Sequence, residues 1–112
     1  PEQEAARMLV QLLELNAAVE PFQIDEEHYV FKFNVPEKLV GYGINELQLE
    51  KEFDLKIISL IRGKKAQNCL GISILEREVA NEFPEDYVIQ AEDALVCYGL
   101  YANFMKFWKS IR

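Results

Sequence analysis

Few side chains in this sequence are of types that do chemistry on their own, and they are scattered. His28 is the only histidine, and Cys69 and Cys97 are the only cysteines. His28 stands beside Asp25, Glu26 and Glu27 at the start of an alternating apolar stretch. A metal site needs several convergent ligands, and no spacing links either cysteine to the histidine as a nucleophile and its base. His28 is therefore expected to be a solvated side chain. Glu92 and Asp93 are adjacent carboxylates in a turn. Neighbours in a turn rarely aim at one point, and calcium wants about six to eight oxygens, so Asp93 is expected to accept hydrogen bonds from local backbone amides instead. There is no glycine-rich phosphate loop and no activated nucleophile. A carboxylate pair could be assembled only by the fold. The expectation is a protein that binds rather than catalyses, with no metal and no resident cofactor.

The composition narrows what it could bind. The chain has 112 residues, half of them hydrophobic, which suits one domain with a modest core. Its net charge is −7 and its isoelectric point about 4.7. An acidic chain of this kind is a poor ligand for nucleic acid or for an anionic membrane surface. Its apolar runs fall well short of the ~20 residues that cross a bilayer, and no stretch resembles a signal peptide. Cys97 lies in an apolar strand and is expected to be a small buried residue. Reduced thiols in a cytoplasmic setting are the default, with a disulfide left open. The opening on Pro1, directly into a helical pattern, suggests a preceding domain.

The elements that position these residues can be taken in chain order. Residues 2–15 carry Ala5, Leu9, Leu12 and Leu13 at helical spacing, with Met8 and Val10 widening the stripe. This helix either packs on its own domain or connects it to the preceding one. Residues 16–21 are expected as linker, 22–25 as a short strand, and Asp25-Glu26-Glu27 as an acidic turn. Over 28–35, Tyr29, Phe31, Phe33 and Val35 alternate with His28, Lys32 and Asn34, as in a half-buried strand that Pro36 ends. Residues 44–53 are expected as a short helix after Gly41 and Gly43. Residues 55–61 are expected as a strand buried on both faces, and Arg62-Gly63-Lys64-Lys65 as a turn. Ile72, Leu75, Val79 and Phe83 recur at helical spacing, with Ser73 and Glu76 as a capping box, so an inserted helix is expected over 73–83. It would either thicken the core or an interface, or cover a ligand groove. Residues 87–90 and 94–98 are expected as strands, and 101–112 as a closing helix with Tyr101, Phe104, Trp108 and Ile111 on one stripe. The sum is an α+β fold: a small mixed or antiparallel sheet with flanking helices, the 55–61 and 94–98 strands near its middle.

Two blocks carry a family resemblance. The first is Val40-Gly41-Tyr42-Gly43-Ile44-Asn45-Glu46-Leu47 followed by Ile57-Ile58-Ser59-Leu60-Ile61-Arg62-Gly63. The second runs from Pro84 through Val88-Ile89 and Glu92-Asp93 to Cys97-Tyr98-Gly99. In order and spacing they resemble the TrkA-C domain, the C-terminal lobe of RCK-type regulators of potassium channels and transporters. The chain departs from that pattern in the polar residues after Gly63, the extra stretch 69–83, and the loss of glycine before Asp93. The resemblance implies a connector helix and linker over 1–21, following a nucleotide-binding RCK lobe, and a regulatory domain over 22–112. It implies a homodimer in the cytoplasm, attached to a potassium channel or transporter and not itself inserted in the membrane. It also implies a small ligand at a dimer interface in some members. Cyclic di-AMP is one such ligand, and Ile58, Ile61, Arg62 and Asn68 match its pocket. A guanidinium there would fork onto a phosphate while apolar residues sandwich a base. Two alternatives stand beside this: a ligand-free dimerisation lobe, and the same module on an anion or organic-acid transporter.

Overall fold

The structure, a computed structural model, describes residues 18–111. The helix expected over 2–15 lies outside the described residues. The fold is α+β. Strands β1 (Val19–Gln23), β2 (His28–Asn34), β3 (Lys56–Gln67), β4 (Ser73–Ala80) and β5 (Ala94–Leu100) form one sheet. Its order is β1-β2-β5-β3-β4, and every pairing is antiparallel. Helices α1 (Leu49–Phe53) and α2 (Tyr101–Ile111) lie on one face, called here the front.

The period of two in β2 sets that face. Tyr29, Phe31 and Phe33 are buried and stand opposite Gly99, Cys97 and Leu95 of β5. The apolar stripe of α2 covers them: Phe104 stacks on Phe31 with ring centroids 3.9 Å apart, and Phe33 meets Phe104 and Trp108 edge-on. Each such side chain taken out of water contributes roughly 1.5–3 kcal/mol, which makes this aromatic layer the main source of cohesion. The acidic turn between β1 and β2 forms as expected. The Asp25 carboxylate accepts the amide N–H of Glu27 at 2.8 Å and of His28 at 2.7 Å.

Several expectations are corrected. The helix over 73–83 is instead β4, an edge strand paired with β3 along its whole length. The register explains it: Glu78 stands opposite Arg62 and Glu76 opposite Lys64, and opposite charges across a strand pair favour that register. The turn expected at 62–65 is the middle of β3. The reversal comes six residues later, where Asn68 accepts the amides of Leu70 and Ile72 and Gly71 takes a φ of +78°. The strand 55–61 is buried on both faces only over its second half, Ser59, Leu60 and Ile61. A bulge between Ile57 and Ser59 leaves Ile58 exposed, since the extra residue has no partner across the ladder. The 44–53 helix is split into a 3-10 turn at Ile44–Leu47 and α1, with Gln48 left-handed between them. Residues 87–90 make an isolated bridge, Gly43 with Val88, rather than a strand. The end of the expected linker, Val19 to Pro21, belongs to β1.

Candidate functional site

The candidate site is built around Asp93, in the tight turn that leads into β5. Its side chain is only 2 % exposed. One carboxylate oxygen accepts the Tyr87 hydroxyl at 2.7 Å and the Gln90 amide at 2.9 Å. The other accepts the Gly63 amide of β3 at 3.4 Å, and the Asp93 carbonyl receives the Val35 amide. The aspartate therefore ties the turn, β3 and the end of β2 together. With three donors on its carboxylate it serves as a structural anchor. Gly63 owes its identity to this junction: a Cβ there would stand 2.1 Å from the Glu92 carbonyl oxygen. Its φ is not positive, so the demand is for space and not for a turn.

Beside the anchor, Arg62 lies over the Tyr87 ring, its guanidinium carbon 5.0 Å from the ring centroid. A guanidinium held over an aromatic face keeps its N–H donors at the edge for a planar acceptor. Burial pushes the Tyr87 hydroxyl up to about 12, and the Asp93 carboxylate adds to this while Arg62 opposes it. Arg62, Lys64, Arg77, Tyr87 and Gln90 line a cleft of about 410 Å³ together with the acids Glu76, Glu78 and Asp93. Its charges nearly balance, so an anion could bind only where Arg62 is presented away from those acids. A second hollow of about 400 Å³ lies between the 44–51 segment and β3, with Leu49, Leu55, Ile57 and Phe83 as its apolar lining.

The four residues matched to a ligand pocket are not brought together within one chain. Arg62 is in the cleft on the front side. Ile61 stands on the back of the sheet opposite Ala94. Ile58 is exposed at the bulge, and Asn68 is at the far tip of the hairpin, its side-chain oxygen engaged by its own loop. Asn68 lies six residues beyond Arg62 along the strand, a span of roughly 20 Å. Tyr87 was not singled out in the sequence. The available signal was an aromatic residue six positions before a turn aspartate.

The remaining reactive groups stay apart. His28 pairs with Asp25 at 2.9 Å and stacks on Tyr98. Burial raises the Cys97 thiol to about 12, while Cys69 is exposed, and both are free. Among the described residues there is no cluster of three metal-ligating side chains and no helix long and apolar enough to cross a membrane. No protein-family model and no curated protein sequence matches this chain.

Proposed function

We propose that this domain is a non-enzymatic regulatory and dimerisation lobe, the cytoplasmic part of a potassium or other cation channel or transporter. The observation that carries the reading is that its two family-like blocks meet at one point. Gly63, which ends the first block, donates to Asp93, the turn acid of the second, thirty residues away. The lack of a Cβ at Gly63 is what permits the approach. Arg62 is left at the edge of this junction as the candidate anion ligand, for a phosphate such as that of a cyclic dinucleotide. A ligand there gates only through different affinities for two arrangements of the lobes.

The test is a thermal-shift titration with cyclic dinucleotides, adenine nucleotides and divalent ions. A ligand of the folded form raises the midpoint as its concentration passes its dissociation constant. The expected result is a saturable rise with one compound that Arg62→Ala abolishes. The dispersal of Ile58, Ile61 and Asn68 favours a second reading, a lobe that holds neighbouring domains in register without a ligand. No shift with any compound would select that reading. Attachment to an anion or organic-acid transporter is the same lobe in another setting, distinguished by the protein it purifies with.

A further inference from the structure

Beyond Ile61 and Val79, the β3–β4 ribbon pairs only with itself. A lone two-stranded ribbon is marginal in water, and this arm keeps large apolar side chains exposed. Val79 is 61 % and Leu75 40 % exposed. The register puts Leu75, Arg77 and Val79 on the back of the arm, with Lys65 directly opposite Leu75. Glu76 and Glu78 fall on the other side, so this back strip is apolar and basic, and the Arg77 guanidinium at its centre also donates to the Asn34 side-chain oxygen at 3.4 Å. The arm over 62–79 holds four basic and two acidic residues in a chain whose net charge is −7.

A second surface has the opposite character. The Gly41 amide donates to the Ile89 carbonyl and the Ile89 amide to the Tyr42 carbonyl, each 2.9 Å, and Gly43 bridges Val88, so the segment carrying Val40 and Tyr42 runs alongside the one carrying Val88. Tyr42 is 50 % and Val88 46 % exposed. Glu85 and Asp86, both exposed, stand next to them in the chain. This patch is apolar with an acidic border.

We infer that the chain binds a second copy of itself by laying Leu75 and Val79 of the arm on the patch of Val40, Tyr42 and Val88 of that copy. Lys65 and Arg77 then meet Glu85 and Asp86, and a two-fold axis makes the contact twice. Charge complementarity selects this arrangement. Two arm backs placed together would oppose their cations. Two β4 edges paired about a two-fold would align residues of the same face: Glu76 with Glu76 in one central register, or Arg77 with Arg77 and Glu76 with Glu78 in the next. Like charges across a strand pair are destabilising, and such charges are how edges resist pairing. The inference rests on the self-association in the proposed function but not on a ligand or on transport.

Sedimentation velocity of the whole chain tests it. The unaltered protein is expected to be a dimer whose affinity falls as salt is added. Lys65→Glu with Arg77→Glu, and separately Glu85→Lys with Asp86→Lys, are each expected to weaken association at least tenfold while the far-UV circular dichroism is unchanged. An equimolar mixture of the two variants is expected to dimerise again, because each contact in the mixed pair joins opposite charges. A monomeric parent protein would overturn the inference, as would folded variants whose mixture stays monomeric. A dimer that both variants retain would also overturn this surface, and would leave the regulatory reading standing.

Discussion

Asp93 shows how one buried carboxylate can organise residues far apart in the chain. Its donors come from Gly63, Tyr87 and Gln90. Removing the acceptor leaves the Tyr87 hydroxyl and two amides without their partner, and each such loss in a buried place costs about 1–3 kcal/mol. Asp93→Ala is therefore expected to destabilise the domain by about 3 kcal/mol, read as a lowered urea midpoint with an unchanged slope. Tyr87→Phe removes one bond and is expected to cost about 1 kcal/mol. Tyr87 also makes stability depend on alkali. Burial and the Asp93 carboxylate raise its hydroxyl from 10.0 to about 12, so the folded chain holds a proton that the unfolded chain releases. Its contribution is full below pH 10 and is lost as the pH rises through about 12. Burial raises Tyr29 as well, so the comparison needed is between the parent and Tyr87→Phe. The variant is expected to lose less stability between pH 10 and 12. Asp25 acts at the other end of the scale. The amides of His28 and Glu27 hold its carboxyl down at about 2, so its contribution is present above the usual carboxylate range and lost as the pH falls through about 2.

The β3–β4 hairpin is where local pattern and tertiary context disagree most. Gly63 is the clearest case at this scale. Gly63→Ala would drive a methyl group into the Glu92 backbone, which cannot turn aside as a side chain can. Overpacking of this kind costs about 1–3 kcal/mol. The expected result is a lower urea midpoint together with faster exchange of the Gln90 amide proton. In the sequence this glycine beside lysines looked like a turn, because a glycine needed for a close approach is written the same way as one needed for a positive φ. The helix expected over 73–83 failed for a related reason. Leu75 and Val79 are four apart, which suits one face of a helix, but as odd positions they also share one face of a strand. The register of Glu76 and Glu78 against Lys64 and Arg62 decides between them, and that information lies across the hairpin. Where one face is buried by a strict alternation, as in β2, the sequence was enough. The stripe of Phe104, Trp108 and Ile111 in α2 was legible for the same reason. Of the site, Arg62 and the hydrogen-bonding role of Asp93 were legible. Tyr87 was not, since its contact with Arg62 depends on the sheet bringing the two together.

At the scale of the molecule, the domain divides into a body that holds the fold and an arm that does not. The buried core runs through β2, β5, α1 and α2 and takes Leu55 and Leu60 from around the start of β3. Among the described residues, no apolar side chain from 62 to 82 belongs to it or packs against it. The arm tip instead leaves Leu70 78 % exposed. Exposed apolar side chains contribute little to stability, so the tip can be cut without cost to the body. Ala66 and Ile74 stand directly opposite each other, two residues from the Asn68–Ile72 backbone hydrogen bond, and so form the hydrogen-bonded kind of pair that a two-residue Asn-Gly turn closes. Replacing residues 67–73 with Asn-Gly is therefore expected to change stability by about 1 kcal/mol or less, since surface changes remote from a core usually do little. The fluorescence of Trp108, packed between Phe33 and Phe104, is expected to keep its native position. The shortened chain still carries Lys65, Leu75, Arg77 and Val79, so its sedimentation should match that of the parent. A loss of several kcal/mol would show instead that the arm tip belongs to the body.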